Sequence, residues 1–561
     1  MTDQRYSGSL ASCRLLTVPI VLMEQAGSRP ERPAIQLVGE EPVTYRQLLR
    51  DAAALAAGLG KAGMARGETV AILAPNSYET ICSWLALGLA GAVEVCINTA
   101  YRGASLEHAL NNSRARHLIT FAEHVPTLLQ SLPKLAHLEQ VFVVGDIPAA
   151  ARDSRLAWRP FHELPNANGI DAVLAQARSI APSEIASVIY TSGTTGPAKG
   201  VLMPHAQVCL LAATTVRGLG LDGEDCFYCF HPMFHMAGKF MAVLGTFMTG
   251  GLVVLDRSFQ PGHWLDRVRE YRATAGLAHG PMLEMIHAQP ERPDDHDNPV
   301  RRILTAPFPK RIARDVERRF ALKGIEVWGM TEVGVPVWHP LDEPLREGSC
   351  GRNDDELFDV RVVDPATDEE LPPGTIGELV VRPRYPWILM QGYLGMAEQT
   401  VETWRNLWFH TGDSAYRDAD GWFYFVDRMK DRIRRRAESI SSYDIESAAL
   451  AHPDILEAAA VGVPSEFEGD DDVKLCVVPR PGVSLDMKEL LAYLARQLPH
   501  HMVPRYIECL EALPRTPTNK VRKNELRARG VGAQVWDRKS AGISLQQFYD
   551  QGTAPGEGNT Q

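Results

Sequence analysis

No stretch of this chain is apolar enough, for long enough, to cross a bilayer as a helix. The longest nearly apolar run, Met241 to Leu255, has 15 residues and is broken by Gly and Thr, against roughly 20 needed to span. The first residues, Met1 to Ser9, are polar and lack the apolar core of a secretory signal. Positive charge is scarce too: 58 Lys and Arg against 69 Asp and Glu leave a formal net charge of −11. That balance argues against a general nucleic-acid binder. Nine cysteines, odd in number and scattered, do not make a secreted disulfide framework and read as reduced thiols of a cytoplasmic protein. No internal repeat is evident. The common nucleoside-triphosphate P-loop, with four residues between its glycines and Ser or Thr after its Lys, is also missing.

One cluster invites a metal reading. Cys226-x2-Cys229-x-His231-x3-His235 puts four ligating side chains within ten residues. Zinc sites normally separate their ligand pairs by a longer loop. The residues between, Phe227, Tyr228 and Phe230, predict instead a buried strand with small buried thiols.

What is present is globular. With 561 residues, 45% hydrophobic and 23% charged, the chain is too long for one core and has ordinary composition. Gly67 to Leu73 reads as a turn and a buried strand, Thr80 to Ala90 as an apolar helix, and Ala92 to Ile97 as another strand. Strands alternating with helices predict an α/β architecture with largely parallel sheets. Residues 146 to 184, rich in Ala, Pro and Arg, are expected to form a surface connection. Asp294 to Asn298 and the acidic run Glu466 to Asp472 are expected to be solvated turns. Around Ser442 to Leu498 the pattern changes to two helices with short strands, an α+β end.

The most informative stretch is Tyr190-Thr191-Ser192-Gly193-Thr194-Thr195-Gly196-Pro197-Ala198-Lys199-Gly200. It follows the strand-like Ala186 to Tyr190 and packs three Gly, three Thr, one Ser and one Lys into ten residues. Glycine lets backbone N–H groups approach a ligand, hydroxyls add donors, and Lys adds a mobile positive charge. The set suits a polyphosphate.

This stretch resembles the phosphate-binding loop of the adenylate-forming superfamily, which includes acyl-CoA synthetases, luciferases and peptide-synthetase adenylation domains. The matches run from about Thr44 to Lys520. They include Val327-Trp328-Gly329-Met330-Thr331-Glu332, Gly377-Glu378-Leu379-Val380-Val381-Arg382, Gln391-Gly392-Tyr393-Leu394, Trp408-Phe409-His410-Thr411-Gly412-Asp413, the basic run from Asp427 to Ser441, and Leu513 to Val521. The resemblance implies a large adenylating domain over 1–429, a small mobile α+β domain over 430–536 and a disordered tail over 537–561.

It also implies roles. Thr191, Ser192, Gly193, Thr194, Thr195, Gly196 and Lys199 would cradle the phosphates of ATP. Trp328 stands where the family has Tyr and would stack on adenine. Thr331 would bond the α-phosphate. Glu332, with Thr191, would hold Mg²⁺. Asp413 and Arg428 would bind the ribose. His235, Gly280, Gly329 and Met330 would border the acyl pocket, with His235 standing where amino-acid-activating relatives have Asp. Lys430 would be the hinge, Ala437 and Glu438 the walls of the CoA tunnel, and Lys520 the catalytic lysine. Besides Trp328, three places depart from the family pattern: Thr305 to Phe308 lacks the usual Gly, Ala437 replaces Gly, and Asn519 replaces Gly.

The implied reaction is ATP-dependent ligation of a carboxylic acid to CoA through an acyl-adenylate, releasing AMP and pyrophosphate, as in fatty-acid metabolism. ATP, Mg²⁺ and CoA are the expected cofactors and co-substrates. The expected partners are small molecules, with no nucleic acid and no membrane span; a homodimer is compatible with this. Two other functions fit the same motifs: a stand-alone adenylation enzyme that loads a carrier protein, and a regulator that binds nucleotide or acyl groups without catalysis. Lys199, Glu332, Asp413, Arg428 and Lys520 together argue against the regulator.

Overall fold

The computed structural model describes residues 10–191, 197–310, 312–428, 433–435, 438–440, 442–467, 470–514, 521, 523–532 and 534–549. The chain divides into two compact units: Met1–Thr99, Ala109–Thr191 and Lys199–Met429 make the first, and Ala100–His108, Ser192–Ala198 and Lys430–Gln561 the second.

In the first unit, two sheets carry the described chain. An eight-stranded sheet runs, edge to edge, Gly392–Tyr393, Lys199–Pro204, Ile185–Thr191, Val93–Cys96, Thr69–Leu73, His117–Phe121, Gln140–Val144 and Ala157–Pro160. Its pairings are parallel from Ile185–Thr191 outward to Ala157–Pro160. The hairpin that returns as Lys199–Pro204 is antiparallel. A thirteen-stranded sheet has a parallel half, from Pro33–Leu37 to Lys323–Met330, and an antiparallel half that begins with Gly334–Trp338. The change comes where helical crossovers give way to tight returns, since antiparallel neighbours need no crossover.

The helices follow local signals. Tyr78–Ala90 starts at Ser77, whose hydroxyl accepts the Thr80 N–H, and ends at Gly91 with φ +67°. Only a residue tolerant of that left-handed conformation closes a helix so. Its side chains from Thr80 to Leu89 are all buried, as expected of a helix apolar on every face. His205–Leu219 is buried along nearly its whole length and packs against strands of both sheets, Ile185–Thr191 and Gly334–Trp338 among them.

The second unit holds an antiparallel pair, Ile455–Pro464 with Asp471–Pro479, extended by Tyr506–Cys509 and Trp536–Asp537. Helix Met487–Gln497 is capped by Asp486 and buries Leu490, Leu491 and Leu494. The fold class is thus the expected one: mixed α/β with a small α+β unit.

Four expectations are corrected. The tail does not begin at 537: Trp536–Asp537 is a strand, and Ile543 and Leu545 are buried in the core of the second unit. Their apolar side chains outweigh the polar composition around them. Residues 146–184 are more than a connection. Ala157–Pro160 adds a strand to the sheet, and helix Ile170–Ala177 packs on Tyr45–Lys61 and Tyr78–Ala90. Asp295 is not solvated but 2% exposed, bonded to Arg319 Nε at 2.6 Å. Asp472 is likewise buried and bonded to Arg505 Nη1 at 2.7 Å. Buried carboxylates persist only when paired, and a charge run read alone does not reveal its partner.

Candidate active site

The strands place chain-distant residues side by side. Thr191 ends the strand that leads into the Gly/Thr loop, and Lys199 opens the strand that returns from it, opposite Thr191 in register. Glu332 lies just beyond the end of Lys323–Met330 and is 5% exposed. The Thr191 hydroxyl lies 3.5 Å from Glu332 Oε1, and the Tyr393 hydroxyl donates to the same oxygen at 3.0 Å. Lys199 Nζ sits over the Tyr393 ring, 4.6 Å from its centroid. Tyr393 therefore offers a hydroxyl to the carboxylate and a ring face to the ammonium, a favourable cation–π placement.

The backbone around Glu332 is fixed from two sides. Gln207 Nε2 donates to the carbonyls of Thr331 and Glu332 at 2.9 and 3.1 Å. The Met390 N–H donates to the Glu332 carbonyl at 2.9 Å. Residues 391–394 are laced to the Lys199–Pro204 strand by Gln391 N–H to Leu202 O and Leu394 N–H to Gly200 O. This is how Tyr393 reaches Glu332.

Trp328 and Asp413 meet directly: the indole Nε1–H donates to Asp413 Oδ2 at 3.0 Å, with both residues buried. Asp413 is held by its own turn. Its N–H donates to Thr411 Oγ1 at 3.1 Å, and Gly412, at φ +68°, donates to Glu378 Oε1 at 3.0 Å. Arg428 lies opposite Asp413 in the neighbouring strand. Glu326 precedes Trp328 by two residues on the same strand face; burial pushes its carboxyl up to about 8.

The residues expected to border the acyl pocket lie on several elements of the same unit. His235 Nδ1 accepts the Ala237 N–H at 3.2 Å, so the proton of the neutral ring is on Nε2. Gly280 begins helix Gly280–His287, and a Cβ there would meet Pro307 O at 2.9 Å. Gly329 has a packing reason of its own, since a Cβ would lie 2.3 Å from Gly334 O. Met330 is half-buried beside it. Cys226 and Cys229 lie on a buried strand, and no metal-holding group of three or more His, Cys, Asp or Glu occurs among the described residues.

Ser192, Gly193, Thr194, Thr195, Gly196, Lys430, Ala437 and Lys520 lie outside the described residues. Glu438 is on strand Glu438–Ile440, paired with Arg435. Sequence reasoning assigned no role to Tyr393 or Gln207. The Gln391 to Leu394 motif marked Tyr393 as notable. Gln207, inside an apolar helix, carried only the signal of a polar residue out of pattern.

The oxygens around Glu332 are hard donors: one carboxylate and the hydroxyls of Thr191 and Tyr393. Magnesium takes one or two protein oxygens and keeps its remaining waters, so this donor set fits it.

A buried carboxylate, a hydroxyl, a lysine and a tyrosine thus stand side by side at the described ends of the strands that flank the Gly/Thr stretch, and the comparisons give the class. The AMP-binding enzyme model matches residues 22–394, and the AMP-binding enzyme C-terminal domain model matches 444–520. The chain belongs to the AMP-binding, adenylate-forming enzyme family, in its acyl-CoA synthetase branch, and is an AMP-forming acid–thiol ligase. It is 33% identical to a feruloyl-CoA synthase of Amycolatopsis sp. over 88% of this chain and 94% of that one. It is 30% identical to a medium/long-chain-fatty-acid–CoA ligase of Mycobacterium marinum over 84% and 88%. Its fold matches the structure of the anthranilate CoA ligase AuaEII in complex with anthranoyl-AMP, with a TM-score of 0.67 and 22% identity over 94% of this chain and 98% of that one.

Proposed function

We propose that the enzyme joins an aromatic or medium-chain carboxylic acid to CoA in two half-reactions on these residues. In the first, the carboxylate oxygen attacks the α-phosphorus of ATP. The P–O bond to pyrophosphate breaks, and the acyl-adenylate forms. An anion approaches a polyanion, so neutralising charge is the main task. Lys199 and the backbone of the Gly/Thr loop bind phosphate oxygens, Thr331 bonds the α-phosphate, and Lys520 supplies positive charge to the transition state. Asp413 and Arg428 hold the ribose, and Trp328 takes the adenine face. A magnesium ion bound by Glu332 and Thr191 would supply further neutralisation of the phosphates.

In the second half-reaction the small domain turns about Lys430 and withdraws Lys520. The CoA thiol, reaching the site past Ala437 and Glu438, attacks the acyl carbonyl as thiolate. The C–O bond to AMP breaks and the thioester forms. AMP leaves far more readily than hydroxide, so no protein nucleophile is needed.

The observation that carries this reading is the meeting of Thr191, Lys199, Glu332 and Tyr393, drawn from three separate chain regions. The test is a panel of acids assayed for pyrophosphate release with ATP and for AMP release dependent on free CoA. Thioester formation with free CoA supports the ligase. Adenylation without thioester formation, restored by an acyl-carrier protein, would replace it with a carrier-loading enzyme.

A further inference from the structure

Three histidines converge where the proposed acyl pocket lies. His231 follows strand Cys226–Cys229 by two residues, and His279 follows strand Ala275–Leu277 by two residues. These strands are parallel neighbours, so both rings stand beyond the carboxyl ends of a parallel sheet, where such sheets bind ligands. The His231 and His279 rings meet edge to face at 4.9 Å, and His279 meets His235 at 6.1 Å.

His231 is the unusual member. It is 2% exposed, stacked on Phe230 at 4.9 Å, and neither ring nitrogen has a hydrogen-bond partner among the described residues. A buried polar group left so is costly and needs a reason. Its backbone is clamped: Asn76 Nδ2 donates to the His231 carbonyl at 3.0 Å, and Asn76 Oδ1 accepts the Met233 N–H at 3.0 Å. The ring is thus held in place rather than tolerated in a loose loop. Burial and the neighbouring imidazoles keep His231 well below the usual histidine range, and burial pushes His279 down to about 3. Both are neutral near pH 7. His279 already donates to the Ala306 backbone, whereas the neutral His231 ring offers one N–H donor and one nitrogen acceptor, which matches a hydroxyl. An ionised second carboxylate would be buried against uncharged rings, an unfavourable exchange.

We propose that His231, with His279 and His235, is the specificity site for the distal end of the acyl group and selects acids that carry a hydroxyl there over their unsubstituted counterparts. The proposal rests on the ligase reading and on the acyl-pocket assignment of His235.

The test uses acid pairs that differ by one oxygen: 4-hydroxybenzoate and benzoate, 4-hydroxycinnamate and cinnamate, 8-hydroxyoctanoate and octanoate. Thioester formation with CoA is measured for each pair in the wild type, His231→Leu and His231→Gln. The wild type should favour the hydroxylated member of its best pair by about tenfold or more in kcat/KM. His231→Leu should collapse that ratio, and His231→Gln, which keeps a donor and an acceptor, should restore part of it. Because both acids are compared within one variant, loss of folded protein cancels. Equal use of the two members by the wild type, or an unchanged ratio in His231→Leu, overturns the proposal while leaving the ligase intact. Turnover of none of the six acids also overturns it, and pyrophosphate release with a wider acid panel then shows whether the ligase reading falls with it.

Discussion

The proposed nucleotide side and the proposed acyl side of the large unit are built on opposite terms. Around Glu332 and Asp413, charged groups sit among close partners: Tyr393 on the carboxylate, the Trp328 indole on the aspartate, Gln207 and Met390 on the backbone. Around His231 and His279 the groups are uncharged, and the most deeply buried ring has no hydrogen-bond partner among the described residues. A site for ATP meets the same charged ligand every time, so fixed dipoles can be aimed in advance. The proposed acyl side instead holds a neutral, backbone-clamped ring whose donor and acceptor the ligand would complete.

The comparison breaks most sharply at Lys520. If charge is needed only on the nucleotide side, Lys520→Ala should cut adenylation by about 100-fold or more, in the range for loss of a transition-state charge stabiliser. Thioester formation from supplied acyl-adenylate should change only a few-fold. Pyrophosphate release and single-turnover thioester formation read the two steps separately. Equal losses in both would show that Lys520 does not divide the halves.

Lys239 is where the two sides are joined. It lies on helix Ala237–Leu244, just after the His235 segment, and is 2% exposed. Its ammonium pairs with Glu94 and lies 3.2 Å from Cys96 Sγ, and Ser187 Oγ donates to Glu94 Oε2 at 2.8 Å. Ser187 belongs to the strand that leads into the Gly/Thr loop. Burial opposes the charge, but Cys96 and Glu94 outweigh it and raise the lysine above its usual value. Lys239→Met should leave Glu94 buried alone and cost about 3–5 kcal/mol. Lys239→Met with Glu94→Leu should recover most of that. Urea midpoints at constant slope measure both, and no recovery in the double variant would mean that the loss is one of shape rather than charge.

Acidity sharpens the same contrast. His205 is buried, accepts the Val18 N–H at 3.3 Å, and is pushed by burial down to about 4; His279 is pushed to about 3. The unfolded chain binds these protons first, near 6.5, so their contribution to stability is full above that value and is lost as pH falls toward 4. Glu326 works the other way. Raised to about 8 from 4.5, it is protonated in the fold, and its contribution fades as pH rises through that interval. Thermal midpoints should therefore drop between about pH 7 and pH 5, less steeply in His205→Gln and more steeply in Glu326→Gln. An unaltered slope in both variants would mean that other groups set the acid limb.

Much of the fold was legible in the sequence because it depends on local pattern. The strand before the Gly/Thr loop, the buried Cys226 to Cys229 strand and the change to a smaller α+β unit all follow from periodicity and composition. Thr191 and Glu332 were named from their motifs, and they come within 3.5 Å. What the sequence hid depends on register between distant segments. Tyr393 reaches Glu332 only because Gly392–Tyr393 pairs with Val201 and Leu202, a match no local rule supplies. Asp295 read as solvated because its partner Arg319 is distant in sequence and adjacent only in the fold. His231 stood out only as a candidate zinc ligand, since nothing in one sequence shows that His279 follows the neighbouring strand.

The smallest effect is expected at Trp328. The indole has two parts to play in the proposed reading: its face would take adenine, and its N–H holds Asp413 Oδ2 at 3.0 Å. Trp328→Phe keeps an aromatic face and removes the donor. Asp413 keeps the turn bond through Thr411, so the carboxylate stays near its place but loses one partner. One hydrogen bond to a charged group is worth about 1.5–3 kcal/mol. If Asp413 binds the ribose as proposed, ATP would recover part of that, because the ribose hydroxyls would donate to the same carboxylate. The expected result is a KM for ATP raised about three- to tenfold, with kcat and the KM for the acid little changed. Trp328→Tyr restores a hydroxyl but places it differently, so it should fall between the two. An acid KM that rises as much as the ATP KM would mean that Trp328 serves both sides, and the separation between a charged nucleotide side and a neutral acyl side would fail at this residue.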